Sequence, residues 1–383
     1  MTSKTHKLFI VSFILFCLNT FLMNAQTVVM DKDDNFPVSF ASVFNQDGKF
    51  LGQTDVDGRL PELGDSKSIR ITHIAYEPAK AKVSGLGKEF KIKPVPMKLG
   101  EAVIATPKTY CIRLTGFLRN FSFSNQLYED DDPVLRFFEG TGQLYLFLDG
   151  KKSNQWVDRV VYDRQLDKMV EKQKRVNLGL KPKSVFERIN KSEKMQLRDA
   201  DGYQQIVNKD TVIGTVVTDS SNHLTRVDMD YLFPDTMKLL NMVVIKLRVT
   251  NAKEHYIYQQ VTDGYVSQST LRGYQSYTHA WTKMFKKRLD IDSFDEFYVD
   301  KAECLTQEQY KEAMKEEKAR KKEPGPVASR DVLDKYITEH NIPEIPEEIL
   351  KVLEISKKIQ AEKEAQKAKK EAEKAAKKAK KNK

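Results

Sequence analysis

Residues 243–250 read VVIKLRVT, and this stretch decides the fold class. Apolar and polar residues alternate along it, which is the period of two of a β-strand with one buried and one solvated face. Antiparallel sheets can leave one face in water, whereas parallel sheets are buried on both faces. The stretch therefore predicts an antiparallel sheet with one solvent-exposed face. The apolar face carries Val243, Ile245, Leu247 and Val249, and the polar face carries Lys246, Arg248 and Thr250.

The β pattern continues on both sides of this stretch, and we predict a larger curved antiparallel sheet domain over residues 107–304. Asp263-Gly264 provides the tight turn of a hairpin between residues 255–261 and 265–271. Residues 156–175 fit either a polar helix or a pair of strands. In pattern alone, a long curved sheet of this kind resembles the half-barrels of lipoprotein carriers. Further strands are predicted over residues 114–123, 134–138 and 142–148.

A second, smaller β pattern lies upstream, in residues 26–106, where short strands are separated by turn residues. The pairs Asp47-Gly48 and Asp57-Gly58 supply the positive φ that tight hairpins need. So many short strands in so short a stretch are typical of a small β-sandwich. We predict a Greek-key β-sandwich with strands over residues 27–30, 38–44, 50–54 and 68–76.

Four segments within residues 26–106 follow one another in a characteristic order. They read FPVSFASV at 36–43, GQTDVDGRL at 52–60, IRITHIAYE at 69–77 and MKLGEAVIA at 97–105. In this order they resemble the carboxypeptidase regulatory-like domain, a transthyretin-like β-sandwich. Ser39 and Ala75 stand where the family has glycine, and Leu60 stands where it has phenylalanine.

The resemblance implies a non-catalytic module of the kind attached to secreted and outer-membrane proteins of Gram-negative bacteria. It transfers no active-site residue, because the family motif is structural. In the rest of the chain, residues 116–119 and 138–140 weakly resemble uncharacterised envelope proteins that begin with the same sandwich.

The N-terminus indicates export. Lys4, His6 and Lys7 form a basic start, residues 8–23 are almost entirely apolar, and Ala25 offers a small residue before a cut. We predict a signal peptide over residues 1–25 and a mature protein in the periplasm or associated with the outer membrane. A transmembrane anchor is the alternative reading, although the run is short for a hydrocarbon core of ~30 Å.

The C-terminal part changes to helix. Thr306 and Gln309 form a capping-box signature. We predict charged helices and a Pro-rich linker over residues 305–345, then a Lys-rich helical tail over residues 346–383. Much of the formal net charge of +10 comes from the end of this tail. Its first turns carry an apolar stripe at spacings of three and four, formed by Ile345, Ile349, Val352, Ile355 and Ile359.

The sequence shows no motif that assigns catalytic, cofactor-binding or metal-binding residues, and we predict none and no cofactor. We interpret His73 and His255, which lie in predicted strands, as structural histidines. Asp31, Asp33 and Asn35 begin like a calcium loop, but Phe36 and Ser42 replace the glycine and glutamate that the loop needs. They are interpreted as a polar turn, and the acidic run 129–132 as a solvated loop. Cys111 and Cys304 fit either a disulfide or two buried thiols.

These patterns predict a non-enzymatic envelope protein that acts as a structural or docking module. Its expected partners are an envelope protein or an outer-membrane component, with anionic lipid headgroups bound by the Lys-rich helix and no nucleic acid. The oligomeric state stays open. One alternative is a carrier of a lipid or another apolar ligand in a half-barrel-like sheet, and a second is a hydrolase with dispersed site residues.

Overall fold

A computed structural model was obtained for the chain. It describes residues 26–97, 100–101, 103–124, 133–148, 154–170, 185–192, 194–232, 237–241, 245–261, 266–284, 287–322 and 329–381. The predicted signal peptide over residues 1–25, the acidic run 129–132 and the Asp263-Gly264 turn lie outside these residues. The fold is mainly β, with a small sheet, a large antiparallel sheet and a helical C-terminus, so the predicted fold class is confirmed.

The N-terminal part forms a small sandwich-like unit. Four strands follow the order β3-β2-β4-β5, and β1 pairs with β6 in parallel beside them. Alternate residues of β4 point inward, so Ile69 and Ile71 are buried with Val29, Val43 and Leu60. The strands are β1 (Val28–Asp31), β2 (Ser42–Asn45), β3 (Phe50–Gln53), β4 (Ser68–His73), β5 (Tyr76–Lys82) and β6 (Glu89–Ile92).

The rest of the β structure is one 12-stranded antiparallel sheet with the order β10-β9-β8-β7-β18-β17-β16-β14-β13-β12-β11, in which β15 also pairs with β16. Its first and last long strands, β7 and β18, pair with one another at its centre. The strands are β7 (Cys111–Phe123), β8 (Val134–Phe147), β9 (Gln155–Asp163), β10 (Lys168–Met169), β11 (Met195–Asp199), β12 (Gln204–Asn208), β13 (Thr211–Asp219), β14 (Leu224–Asp230), β15 (Met237–Asn241), β16 (Ile245–Gln259), β17 (Leu271–Met284) and β18 (Lys287–Leu305).

The sheet is strongly curved, and we call its two sides the inner and outer faces. On the inner face, Leu144 of β8 and Ile213 of β13 belong to one buried cluster, although five strands separate β8 from β13 in the sheet. Helix α1 (Val185–Lys191) adds Val185 and Ile189 to this cluster. The inner face is therefore a packed apolar core closed by side chains from both halves of the sheet.

The sandwich and three C-terminal helices cover the outer face. These helices are α2 (Gln307–Lys322), α3 (Arg330–Glu339) and α4 (Glu347–Lys381). The predicted capping box at α2 is confirmed, because Thr306 N–H donates to Gln309 Oε1 at 2.8 Å and Gln309 N–H to Thr306 Oγ1 at 3.3 Å. None of the helices within the described residues is long and apolar enough to cross a membrane.

The start of α4 joins the sandwich to the sheet. Val352 and Leu353 are buried in one cluster with Phe44 of the sandwich and Phe294 of β18. Gly48, in the turn between β2 and β3, has φ +78°, and a Cβ there would lie 2.2 Å from the carbonyl oxygen of Glu348. This turn therefore needs glycine both for its backbone conformation and for the close approach of α4.

Several details of the sequence prediction are wrong. The sheet does not keep one solvated face, because the sandwich and the C-terminal helices cover its outer face, where Asp228 and Glu139 are buried. The strand predicted over residues 265–271 is also wrong, since residues 268–270 form a 3₁₀ turn and β17 begins at Leu271.

Residues 134–138 and 142–148 form one continuous strand, β8, because Gly140 and Gly142 extend through the sheet instead of ending a strand. The apolar stripe of α4 is displaced, because Ile355 is 48 % exposed while Leu353 and Ser356 are buried. For residues 156–175 the sequence allowed either a polar helix or a pair of strands. The structure has the hairpin of β9 and β10 in this region.

Cys111 and Cys304 lie on neighbouring strands but are not joined by a disulfide. Cys111 stands opposite Leu305 and Cys304 opposite Ile112, so their positions differ by one residue in register. Successive residues of a strand point to opposite faces. The two thiols therefore face opposite sides of the sheet.

Replacing Leu353 by alanine should lower the free energy of unfolding by about 2–5 kcal/mol, the usual cost of truncating a buried leucine. Replacing Ile355 by alanine is the matched control and should change it by less than about 0.5 kcal/mol, because this side chain is exposed. Urea unfolding of the two variants measures both values. Equal losses for the two variants would contradict the observed face of α4.

Candidate functional site

Three ionisable side chains meet where the sandwich contacts the outer face of the sheet. His73 is the last residue of β4, Asp228 lies on β14 and His255 lies on β16. Asp228 and His255 are direct partners in the β14–β16 register, so their side chains point to the same face. The neighbours Val227 and Met229 point to the inner core, which places Asp228 on the outer face.

The three side chains form a tight triangle of polar atoms. His73 Nε2 lies 3.1 Å from Asp228 Oδ1 and 2.9 Å from His255 Nδ1, and His255 Nδ1 lies 2.9 Å from Asp228 Oδ1. His73 is 3 % exposed, His255 1 % and Asp228 0 %. We call this group the histidine–aspartate cluster.

A backbone hydrogen bond sets the tautomer of His73. The N–H of Ala75 donates to His73 Nδ1 at 3.1 Å. A neutral imidazole has one protonated and one unprotonated nitrogen, so the proton of neutral His73 is on Nε2. That N–H therefore points into the cluster and donates to Asp228 or to His255.

A second layer of charge surrounds the cluster. Arg226, on the same face of β14, lies with its Nε 3.3 Å from Asp228 Oδ2 and its Nη1 3.4 Å from Asp31 Oδ2. Tyr76 donates its hydroxyl proton to Asp31 Oδ2 at 2.7 Å. Arg226 Nη1 also contacts the Tyr76 hydroxyl oxygen. The sandwich therefore supplies a carboxylate and a tyrosine to a sheet arginine, and the sheet supplies a carboxylate to a sandwich histidine.

Burial dominates the titration of this region. Burial and the neighbouring His255 lower the pKa of His73 from 6.5 to about 4, against the opposing effect of Asp228. Burial alone would raise the pKa of Asp228, but the two histidines and Arg226 outweigh it and hold that pKa well below 3.8. At neutral pH the cluster thus contains a neutral His73 beside an ionised Asp228.

The ligand atoms of the cluster all lie within 4.8 Å of one another, so the three residues could hold a metal ion. With metal–nitrogen bonds of about 2.0–2.1 Å, their spacing corresponds to angles of roughly 90° at the ion, as on one face of an octahedron. In such a complex His73 would bind through Nε2 and carry its proton on Nδ1. That proton would face the N–H of Ala75, so the hydrogen bonding of His73 favours a metal-free cluster.

Burial restricts the chemistry that the cluster can perform. The three side chains are at most 3 % exposed, and the cavity beside His73 measures about 20 Å³, which leaves no room for a substrate. The arrangement instead satisfies polar groups of two parts of the chain against one another, which a buried charge requires. Its evident role is to fix the sandwich on the sheet.

His73 and His255 were expected to be separate structural histidines, and they meet across 182 residues of the chain. Asp228 was missed, although its place between Val227 and Met229 in an alternating strand marks a residue on the face opposite the apolar core. Residues 31–35 were predicted to form a polar turn. Asp31 Oδ1 accepts the N–H groups of Asp33 and Asp34 at 2.8 and 3.1 Å, as such a turn requires.

A second buried ionic group lies on the same face, nearer to α3. Arg119 donates to Glu139 Oε1 at 3.0 Å and to Glu296 Oε2 at 3.1 Å. Its third nitrogen donates to the carbonyl oxygen of Pro343 at 3.1 Å. Arg330 at the start of α3 also contacts Glu139, at 3.0 Å. This group fixes α3 and the segment after it to the sheet, as the histidine–aspartate cluster fixes the sandwich.

No known protein-family model matches the chain, and no curated protein matches it. The resemblance of residues 26–106 to the carboxypeptidase regulatory-like domain therefore stays a prediction.

The stability of the protein should fall when the medium is acidified through the titration range of His73. Because the pKa of His73 is about 4 in the folded protein and 6.5 in an unfolded chain, its contribution is complete above pH 6.5. That contribution is lost as the pH falls from 6.5 to about 4. The loss amounts to about 3 kcal/mol. Urea unfolding across this range measures it.

Two variants identify the residue responsible. His73→Gln should be less stable at neutral pH and should lose less stability on acidification, because the titrating group is gone. His223→Asn is the control, since His223 is exposed, and it should keep the pH dependence of the unaltered protein. An unchanged pH dependence in His73→Gln would show that other groups cause it.

Proposed function

We propose that this protein is an exported, non-enzymatic component of the Gram-negative envelope, whose folded β body presents a Lys-rich helix to an anionic surface. The observation that carries the proposal is the division of α4 into a buried base and an exposed extension. Ile349, Val352 and Leu353 of the base are buried, whereas every residue from 361 to 374 is exposed.

The extension is a long cationic arm. Helix α4 has 35 residues, which at 1.5 Å per residue gives a length of about 50 Å. From residue 361 to the C-terminus the sequence contains ten lysines and four glutamates. Each lysine near an anionic membrane surface contributes about 1 kcal/mol of attraction. A helix fixed at its base can hold these charges at one place on such a surface.

The other parts of the chain support a docking role. The resemblance of residues 26–106 to a non-catalytic module of secreted proteins agrees with a docking role for the sandwich, and its expected partner is an envelope protein or an outer-membrane component. The side chains of the histidine–aspartate cluster bind one another and hold that sandwich to the sheet, which agrees with a non-enzymatic function. The carrier hypothesis has less support, because packed side chains fill the inner face. The cavity between the sheet and α3 measures about 310 Å³, at the lower end of small-molecule sites. The hydrolase hypothesis gains no support from the two buried ionic groups, whose residues bind one another.

Binding to vesicles tests the role of the helix. The mature chain should co-sediment with vesicles of phosphatidylcholine and phosphatidylglycerol, but not with phosphatidylcholine alone. This binding should weaken as salt is added, because the Debye length falls from about 10 Å at 0.1 M to about 3 Å at 1 M. Truncation after Ile359 should abolish it, while the apolar base of α4 is retained.

Charge variants separate electrostatics from the loss of a helix. Replacing Lys367, Lys369 and Lys370 by glutamine should weaken binding to the anionic vesicles. Replacing Glu362 and Glu364 by glutamine is the matched control and should strengthen it, because it raises the net positive charge. Vesicle binding that stays unchanged in the truncated protein would refute the proposed role of the helix.

Processing tests export. When the full chain is produced in a Gram-negative host, the mature protein should begin at Gln26 and be found in the envelope fraction, because the small Ala25 precedes the expected cut. Mass spectrometry of the purified protein gives its N-terminus. An intact Met1 in a cytoplasmic fraction would contradict this part of the proposal.

A further inference from the structure

A cavity of about 310 Å³ lies away from the histidine–aspartate cluster. One wall is the segment that leaves the sandwich, with Val95 and Met97, and another is formed by β17 and β18. The third wall is the end of α3 and the residues that follow it, including Ile342. Its volume is at the lower end of the range of small-molecule sites, which is about 300–1,000 Å³.

Arg272 of β17 supplies a buried positive charge to this cavity. It is 1 % exposed, and its three nitrogens donate to neutral oxygens. Nε donates to Gln259 Oε1 at 2.8 Å, Nη2 to the carbonyl oxygen of Glu101 at 3.0 Å and Nη1 to that of Leu271 at 3.5 Å. No carboxylate among the described residues lies within ion-pair distance of it.

Two of the N–H donors of Arg272 have no hydrogen-bond acceptor among the described residues. A guanidinium has five N–H donors, two of them on each Nη, and the three bonds leave one N–H on each Nη. An arginine fork suits a carboxylate, which accepts two parallel N–H bonds. The negative charge of Asp300 stabilises the guanidinium only from beyond ion-pair distance. Arg272 therefore still lacks a direct anionic partner, and an anion entering the cavity would supply one.

Asp300 offers a second polar group to the same cavity. Its Oδ2 accepts the hydroxyl proton of Tyr336 at 2.7 Å and lies 3.5 Å from Nε2 of His340. Its Oδ1 is buried and has no hydrogen-bond partner. A molecule bound here is thus offered an acceptor as well as donors.

Gly100 shows how close these groups are. A Cβ at Gly100 would lie 3.4 Å from Nη2 of Arg272 and 3.1 Å from the carbonyl oxygen of Asp300. One small molecule beside Gly100 can therefore reach Nη2 of Arg272 and the backbone of Asp300, whose side chain lines the same cavity.

We propose that this cavity binds a small organic acid with an apolar body, whose carboxylate accepts the two remaining N–H donors of Arg272. Val95, Met97 and Ile342 enclose the apolar body. A hydroxyl group next to the carboxylate donates to Asp300 Oδ1, so a hydroxy acid binds more tightly than the plain acid. The inference does not rest on the proposed function, because neither the Lys-rich helix nor export enters it.

Calorimetric titration of the purified protein with octanoate, octanol and 2-hydroxyoctanoate tests the proposal. Octanoate should bind at least about tenfold more tightly than octanol, which has the same apolar body but no charge. The hydroxy acid should bind more tightly than octanoate. Absence of octanoate binding, or equal affinity for octanoate and octanol, would overturn the proposal.

Two variants locate the charge. Arg272→Lys keeps a positive charge but loses the fork, and should weaken octanoate binding at least about tenfold. Lys301→Gln is the matched control, since Lys301 lines the same cavity but is 65 % exposed and paired with Glu303. It should change the affinity by less than about threefold. Equal effects of the two variants would refute the role of Arg272.

A third measurement keeps Arg272 unchanged, so it tests the proposal even if Arg272→Lys does not fold. The methyl resonance of Met97, assigned with the variant Met97→Leu, should shift on addition of octanoate and not on addition of an equal concentration of octanol. A saturable octanoate titration that leaves this resonance unmoved would place binding elsewhere and refute the proposed site.

Discussion

The outer face of the large sheet carries ionisable side chains that are covered in the folded protein, and covering them requires partners. Asp228, Arg119 and Glu139 are all nearly inaccessible to solvent. An isolated charge in such a place costs several kcal/mol, so it must be paired and hydrogen-bonded. The covering elements meet this demand, because the sandwich brings His73 to Asp228 and α3 brings Arg330 to Glu139.

This demand makes the position of the covering elements specific. Apolar contacts alone would allow an element to slide, whereas a carboxylate with two defined donors accepts one arrangement. The apolar cluster of Phe44, Phe294 and Val352 then joins sandwich, sheet and α4 in one core. Gly48 permits the closest approach in that core, between the β2–β3 turn and the backbone of α4. Ion pairs thus determine where each covering element lies on the sheet, and apolar packing stabilises it there.

Local patterns in the sequence were sufficient for much of the fold. Alternation predicted the first part of β16, up to Thr250, and the capping box predicted the start of α2, because each depends on residues close together in the chain. Ile355 was predicted to be buried, but it is exposed. The spacing of apolar residues along a helix does not show which of them contact the neighbouring surface, and in α4 Leu353 makes this contact instead. The meeting of His73 with His255 could not be predicted, since it depends on how two separate β units pack. The cavity at Arg272 has the same origin, with walls from three distant segments.

The pairing of β7 with β18 has a consequence for how the chain reaches this structure. The ion pair of Arg113 with Glu303 joins residues that are 190 positions apart, so the central ladder of the sheet closes the longest loop in its domain. The sandwich core needs only residues 29–92 and can form before the large sheet is complete. Strand β7 must then wait with one edge open until β18 has emerged, and open strand edges invite pairing with other chains. Such long-range closure slows folding, which makes the interval before residue 305 appears the period in which this protein is most exposed to aggregation.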